Sequence, residues 1–105
     1  MGAILRDPAS ILLFSVVGVW EMQIKIQLGK LRVTRPLADS IENEQTTNGM
    51  ALLPISLEHI YALDRLPAHH RDPFDRLLIA QALHEGLPIV SADKVFQSYP
   101  VQVLP

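Results

Sequence analysis

The sequence predicts an α/β fold, a three-layer sandwich around a mainly parallel sheet, and three observations carry that expectation. Ile11-Leu12-Leu13-Phe14 is a continuous apolar run, the pattern of a strand buried on both faces. Leu87-Pro88-Ile89-Val90-Ser91 is a second compact apolar strand. Between and around them lie segments of helical length and periodicity, so strands alternate with helices as crossover connections require. With 105 residues the chain is one domain, 1–105, large enough for a single core.

In chain order, Met1 to Ser10 reads as the tail of a helix broken at Asp7-Pro8, because the residue before proline is pushed out of the helical region. The run Ile11 to Phe14 follows. Ser15 then caps a helix from about Val16 to Leu28, with Gly29 just past its end. Lys30, Arg32 and Arg35 form a small basic cluster in an exposed connection. A short polar helix runs from Pro36 to about Gln45, and Thr46-Thr47-Asn48-Gly49 is a turn. Ala51 to Ile55 is a short strand in which Pro54 signals a strand end or an edge position. Ser56 caps a helix with Leu57, Ile60 and Tyr61 at helical spacing, and Val101 to Leu104 closes the chain as an alternating edge strand.

The most informative stretch is Asp72-Pro73-Phe74-Asp75-Arg76-Leu77-Leu78-Ile79-Ala80-Gln81-Ala82. Asp72 reads as an N-cap, Pro73 as the first helical residue and Asp75 as the third, and Glu85-Gly86 ends the helix. Its apolar residues cover more than one face, so the helix is expected to be packed on most sides. Both carboxylates are ordinary capping and dipole devices when taken alone. Glu21 falls on the stripe of Val17, Ile24 and Leu28, which aims a carboxylate at the core. A charge there requires a cation partner, a metal or neutralisation, or else reaches water at the edge of the stripe. Asp93 follows the Leu87 to Ser91 strand, where ligands collect in open α/β sheets, and serves equally as a turn aspartate. In this fold Glu21, Asp75 and Asp93 converge at one sheet edge. Clustered carboxylates repel one another and call for a hard divalent cation, Mg²⁺ or Mn²⁺, whose bound water attacks a phosphodiester.

Composition excludes several alternatives. The chain has no cysteine, hence no disulfide or thiolate metal site, and a cytoplasmic location is the default. None of the four histidines shows zinc spacing: His59 and His84 stand apart, His69 and His70 are adjacent, and all read as loop or surface residues. No apolar run approaches the roughly 20 residues of a membrane span. A net charge of −2 argues against gripping nucleic acid by bulk basicity.

Val19-Trp20-Glu21-Met22-Gln23-Ile24-Lys25 with Leu28-Gly29-Lys30-Leu31, then His69 through Ala82, then Val90-Ser91-Ala92-Asp93, closely resemble the PIN-domain family, specifically VapC-like toxins of bacterial toxin–antitoxin pairs. The resemblance runs from about Ala3 to Leu104, with the motifs in the family's order. It implies a Mg²⁺- or Mn²⁺-dependent endoribonuclease in which Glu21, Asp75 and Asp93 hold the metal, Asp72 is a neighbour, and Arg71, Arg76 or Lys94 holds the RNA phosphate. It further implies a cognate antitoxin and a homodimer. Family members open with a strand carrying a first aspartate, followed by a helix, and this chain starts after both. Asp7 does not replace that aspartate. The expectation is therefore a domain lacking its first strand and helix, with a weakened metal site, exposed strand edges at the centre of the sheet and a tendency to associate. A non-catalytic remnant that acts only by binding an antitoxin or dimer partner is the alternative. A phosphatase or receiver-like domain lacks its nucleophilic strand-end aspartate here.

Overall fold

A computed structural model describes residues 4–7, 11–67, 72–91, 96–97 and 99–104. Five strands, β1 (Ile4–Arg6), β2 (Leu12–Ser15), β3 (Ala51–Leu53), β4 (Ile89–Val90) and β5 (Val103–Leu104), form one sheet in the order β3-β2-β1-β4-β5. Four helices, α1 (Val16–Gln27), α2 (Leu37–Thr47), α3 (Leu57–Ala62) and α4 (Pro73–Glu85), flank it, with a 3-10 turn at Leu63–Arg65 after α3. β3 runs parallel to β2 and β5 parallel to β4, while β1 is antiparallel to both β2 and β4. Four strands therefore point one way and β1 runs against them, which gives the expected α/β fold with a mostly parallel sheet.

Helix starts follow their local chemistry. Ser15 caps α1 through its hydroxyl, which accepts from the Val17 amide, and Ser56 forms a capping box with His59 at the head of α3. Asp72 caps α4, Pro73 sits in its first turn, and Gly86 closes it at φ 67° in the left-handed region, which disfavours a side chain there. The core lies between one sheet face and α4. Leu5, Ile89, Leu78, Ile79, Ala82 and Phe96 are buried there, with Leu13, Leu53 and Val103 packed around them. Six consecutive α4 residues, Leu77 through Ala82, are buried, so the helix is enclosed as its composition predicts. On the opposite face Ile4 and Phe14 meet Met22 of α1 and Leu37 and Ile41 of α2 around an open apolar groove of about 480 Å³.

The N-terminal segment differs from expectation. Ile4–Arg6 is a strand, not a helix tail, and it occupies the centre of the sheet. Its register pairs Ile4 with Phe14 and Arg6 with Leu12. Asp7 closes the connection: its amide donates to the Ile11 carbonyl and its carboxylate accepts from the Ile11 amide. The inner edges of β2 and β4 are consequently both paired rather than exposed. Asp7 does follow a strand, contrary to the sequence reading. Because β1 is antiparallel, however, that strand delivers Asp7 to the sheet edge away from the C-terminal ends of β2 and β4. Smaller differences are boundary shifts: Thr46 and Thr47 extend α2, and β3, β4 and β5 are shorter than their apolar runs.

Candidate active site

The C-terminal end of β2 leads directly into α1, and α4 packs against α1. The contact between these helices is made by rings. Trp20 and Phe74 meet edge to face with centroids 4.8 Å apart and planes at 80°. Glu21 and Asp75 are the next residue after each ring, so this contact brings both carboxylate-bearing turns to one place.

Asp75 lies one helical step before Leu78, Ile79 and Ala82, and thus heads the stripe of α4 that faces the core. It is half-buried there. Glu21 lies four residues after Val17, which is buried, and its own side chain retains 19 % exposure. Lys25 one turn on pairs with it at 3.5 Å. Of the outcomes open from sequence, the structure thus contains the cation partner, in a form that solvent screens and that contributes only about 0.3–0.5 kcal/mol. The apolar stripe is shorter than expected, because Leu28 falls at the helix cap and is exposed. Asp72 uses its Oδ1 to accept from the Phe74 amide at 2.9 Å and the Asp75 amide at 3.4 Å, which fixes the first turn beneath Asp75.

Asp93, Arg71, Lys94, His69 and His70 lie outside the described residues, and among the described residues no three His, Asp or Glu form a metal-binding group. Glu21 and Asp75 supply two oxygen donors, and the whole candidate donor set is carboxylate, which suits a hard divalent cation rather than zinc or copper. Arg76 has structural work: its Nη1 donates to the Pro67 carbonyl at 2.9 Å and lies 3.5 Å from the Tyr99 hydroxyl.

A second polar cluster escaped the sequence reading. Ser15, His59 and Gln81 are the buried polar residues among those described, and they are joined. The Ser15 hydroxyl donates to Gln81 Oε1. Gln81 Nε2 faces the Pro54 carbonyl at 3.3 Å and His59 Nδ1 at 3.4 Å, and that same Nδ1 accepts from the Ser56 amide. With Nδ1 an acceptor, the ring proton sits on Nε2, 3.6 Å from Glu85 Oε1 and without a hydrogen bond. His59 is therefore a core residue, contrary to expectation, and the His84 ring stands edge-on to it at 5.4 Å. Gln81 had one sequence signal, an uncharged polar residue in the middle of an apolar helical run.

The model of the PIN-domain family matches residues 2–102, and the chain belongs to that family. The PIN domain is generally a nuclease fold, and its members typically use a divalent metal. No curated protein and no solved structure matches the chain. No helix among the described residues is long and apolar enough to cross a membrane.

Proposed function

We propose that this PIN-domain chain is of the VapC type, a metal-dependent endoribonuclease that acts as the toxin of a toxin–antitoxin pair. The observation that carries the reading is the α1–α4 contact, where Trp20 and Phe74, the residues that precede Glu21 and Asp75, meet ring to ring. Glu21, Asp75 and Asp93 are the proposed ligands of Mg²⁺ or Mn²⁺, directly or through water, with Asp72 fixing the turn that carries Asp75. When bound, the cation supplies an activated water and charge stabilisation at a phosphodiester. Arg71 and Lys94 are the proposed phosphate contacts, while Arg76 holds the segment at Pro67 in place. Family resemblance supports RNA as substrate, a cognate antitoxin, a homodimer and a cytoplasmic location. The test is cleavage of RNA by the purified chain in Mg²⁺ or Mn²⁺. Cleavage abolished by chelation and by Glu21→Gln or Asp75→Asn supports the assignment, and cleavage indifferent to these changes overturns it.

A second reading rests on two different observations. Asp7 is placed at the opposite sheet edge from the carboxylate turns, and the apolar groove beside Phe14 and Met22 is open. Both favour an interaction-only domain that binds an antitoxin or a second copy. Undiminished binding of an antitoxin encoded next to this gene, with no metal-dependent cleavage, would select it.

A further inference from the structure

Gln81 is a fully buried amide on an otherwise apolar stretch of α4, and it is satisfied from both ends. Its Oε1 accepts from the Ser15 hydroxyl, and its Nε2 donates to the Pro54 carbonyl at 3.3 Å. The amide therefore has one orientation, because turning it over would set Oε1 against the Pro54 carbonyl, two acceptors with no proton between them. Ser15 is equally fixed. It is 0 % exposed, and while its hydroxyl donates to Gln81 the same oxygen accepts from the Val17 amide as the cap of α1. The head of α1 is thus bonded to the body of α4 across 66 positions of chain.

Two contacts set how α1 lies along α4. The buried joint pairs Ser15 with Gln81, and the ring contact pairs Trp20 with Phe74, so the two helices run in opposite directions. Glu21 lies six residues after Ser15 and Asp75 six residues before Gln81, each about 9 Å along its own helix and on the same side of the joint. Both carboxylates therefore stand at the same axial distance from one buried hydrogen bond. The two contacts constrain the helices unequally. An aromatic pair accepts centroid separations from about 4.5 to 7 Å, whereas a hydroxyl hydrogen bond accepts only about 2.5 to 3.0 Å between its heavy atoms. A metal site needs its ligands held within about 0.5 Å, and of the two contacts only the hydrogen bond is that exact. It is also costly to break, since both partners would be left buried and unpaired.

We infer that Gln81 is a positioning residue for the metal site: through Ser15 it fixes the axial register of α1 against α4, and with it the spacing of Glu21 and Asp75. The inference rests on the nuclease reading and adds to it the residues, outside the ligand set, that hold its geometry.

The test is Mn²⁺ binding followed by electron paramagnetic resonance, which needs neither RNA nor turnover. Gln81→Leu, which leaves the Val17 cap intact, and Ser15→Ala should each weaken Mn²⁺ binding about tenfold, the scale on which a lost outer hydrogen bond affects a metal site. The double variant should bind no more weakly than either single one, because both remove the same bond. Leu5→Ala truncates the core on β1 and leaves the joint in place. It should lower stability yet bind Mn²⁺ as the unmodified protein does, which separates positioning from loss of stability. Gln81→Met takes the place of Gln81→Leu if circular dichroism shows the leucine variant unfolded. Full Mn²⁺ affinity in the joint variants, an equal loss in Leu5→Ala, or effects that multiply in the double variant would each overturn the inference. If Glu21→Gln and Asp75→Asn weaken Mn²⁺ binding while Gln81→Leu and Ser15→Ala do not, the inference fails and the nuclease reading stands. If the unmodified protein binds no Mn²⁺, the metal site itself is lost and both fall.

Discussion

Two polar clusters share helices α1 and α4, and they solve opposite problems. At the first turn of α4, Asp72 and Asp75 sit half-buried on either side of Phe74, which meets the exposed Trp20, and the contact of Glu21 with Lys25 is a long, solvent-screened pair. Two turns further along, Gln81 is fully buried and spends its amide on Ser15, Pro54 and His59. A buried polar group left unpaired costs about 1–3 kcal/mol, so the inner cluster survives by pairing within the protein. The outer cluster keeps carboxylates at the surface and is the one suited to a ligand. The same helix thus carries a joint and a site, distinguished by where the partners come from.

The largest expected effect breaks the joint. Gln81→Leu would strand the Ser15 hydroxyl and the Pro54 carbonyl together, lowering stability by about 3 kcal/mol in urea denaturation, with the secondary structure retained below the transition. Ser15→Ala removes the α1 cap and leaves Gln81 Oε1 without its donor, for a loss of about 2 kcal/mol by the same measurement. Asp72→Ala should cost about 1 kcal/mol as a lost cap, against less than about 0.5 kcal/mol for Lys25→Met, whose ion pair is largely solvated. Lys25→Met also sharpens the contrast, because removing a competing cation should strengthen Mn²⁺ binding at Glu21 in a titration. A fall in affinity would mean that Lys25 positions Glu21.

The smallest effect concerns pH. The backbone amide at the head of α3 and, secondarily, the Ser56 side chain hold the exposed Glu58 carboxyl below its ordinary value of 4.5. A depressed folded-state pKa stabilises the protein above the unfolded value, and that contribution is lost as the pH falls through the folded one. Thermal melts from pH 6 downward should therefore show a slight loss below about pH 4.5 that is absent in Glu58→Gln. An identical profile for the two proteins would remove Glu58 from the α3 cap.

What was legible in the sequence follows the range of the forces. Asp72-Pro73 and Gly86 mark the ends of α4, and Ser15 and Ser56 the starts of α1 and α3, because caps are hydrogen bonds to residues two or three positions away. Asp75 could be placed on the core-facing stripe from its spacing to Leu78, Ile79 and Ala82. The strand at Ile4–Arg6 could not, since three residues acquire strand character only by pairing with Leu12 to Phe14 on one side and Ile89 and Val90 on the other. The burial of His59 is hidden from the sequence for the same reason: it depends on α4, more than twenty positions away, and on the amide of Gln81. Glu21 was legible as a carboxylate on an apolar stripe, but the contact of its neighbour Trp20 with Phe74 joins residues over fifty positions apart.

The most direct measurement is Tb³⁺ luminescence, excited through Trp20, the residue adjoining Glu21. Tb³⁺ stands in for Mg²⁺ as a hard cation with oxygen ligands. Sensitised emission that saturates with Tb³⁺, is displaced by Mg²⁺ or Mn²⁺, and falls at least tenfold in affinity in both Glu21→Gln and Asp75→Asn is the predicted result. Emission that is absent, or that both substitutions leave unchanged, would contradict a metal site between α1 and α4.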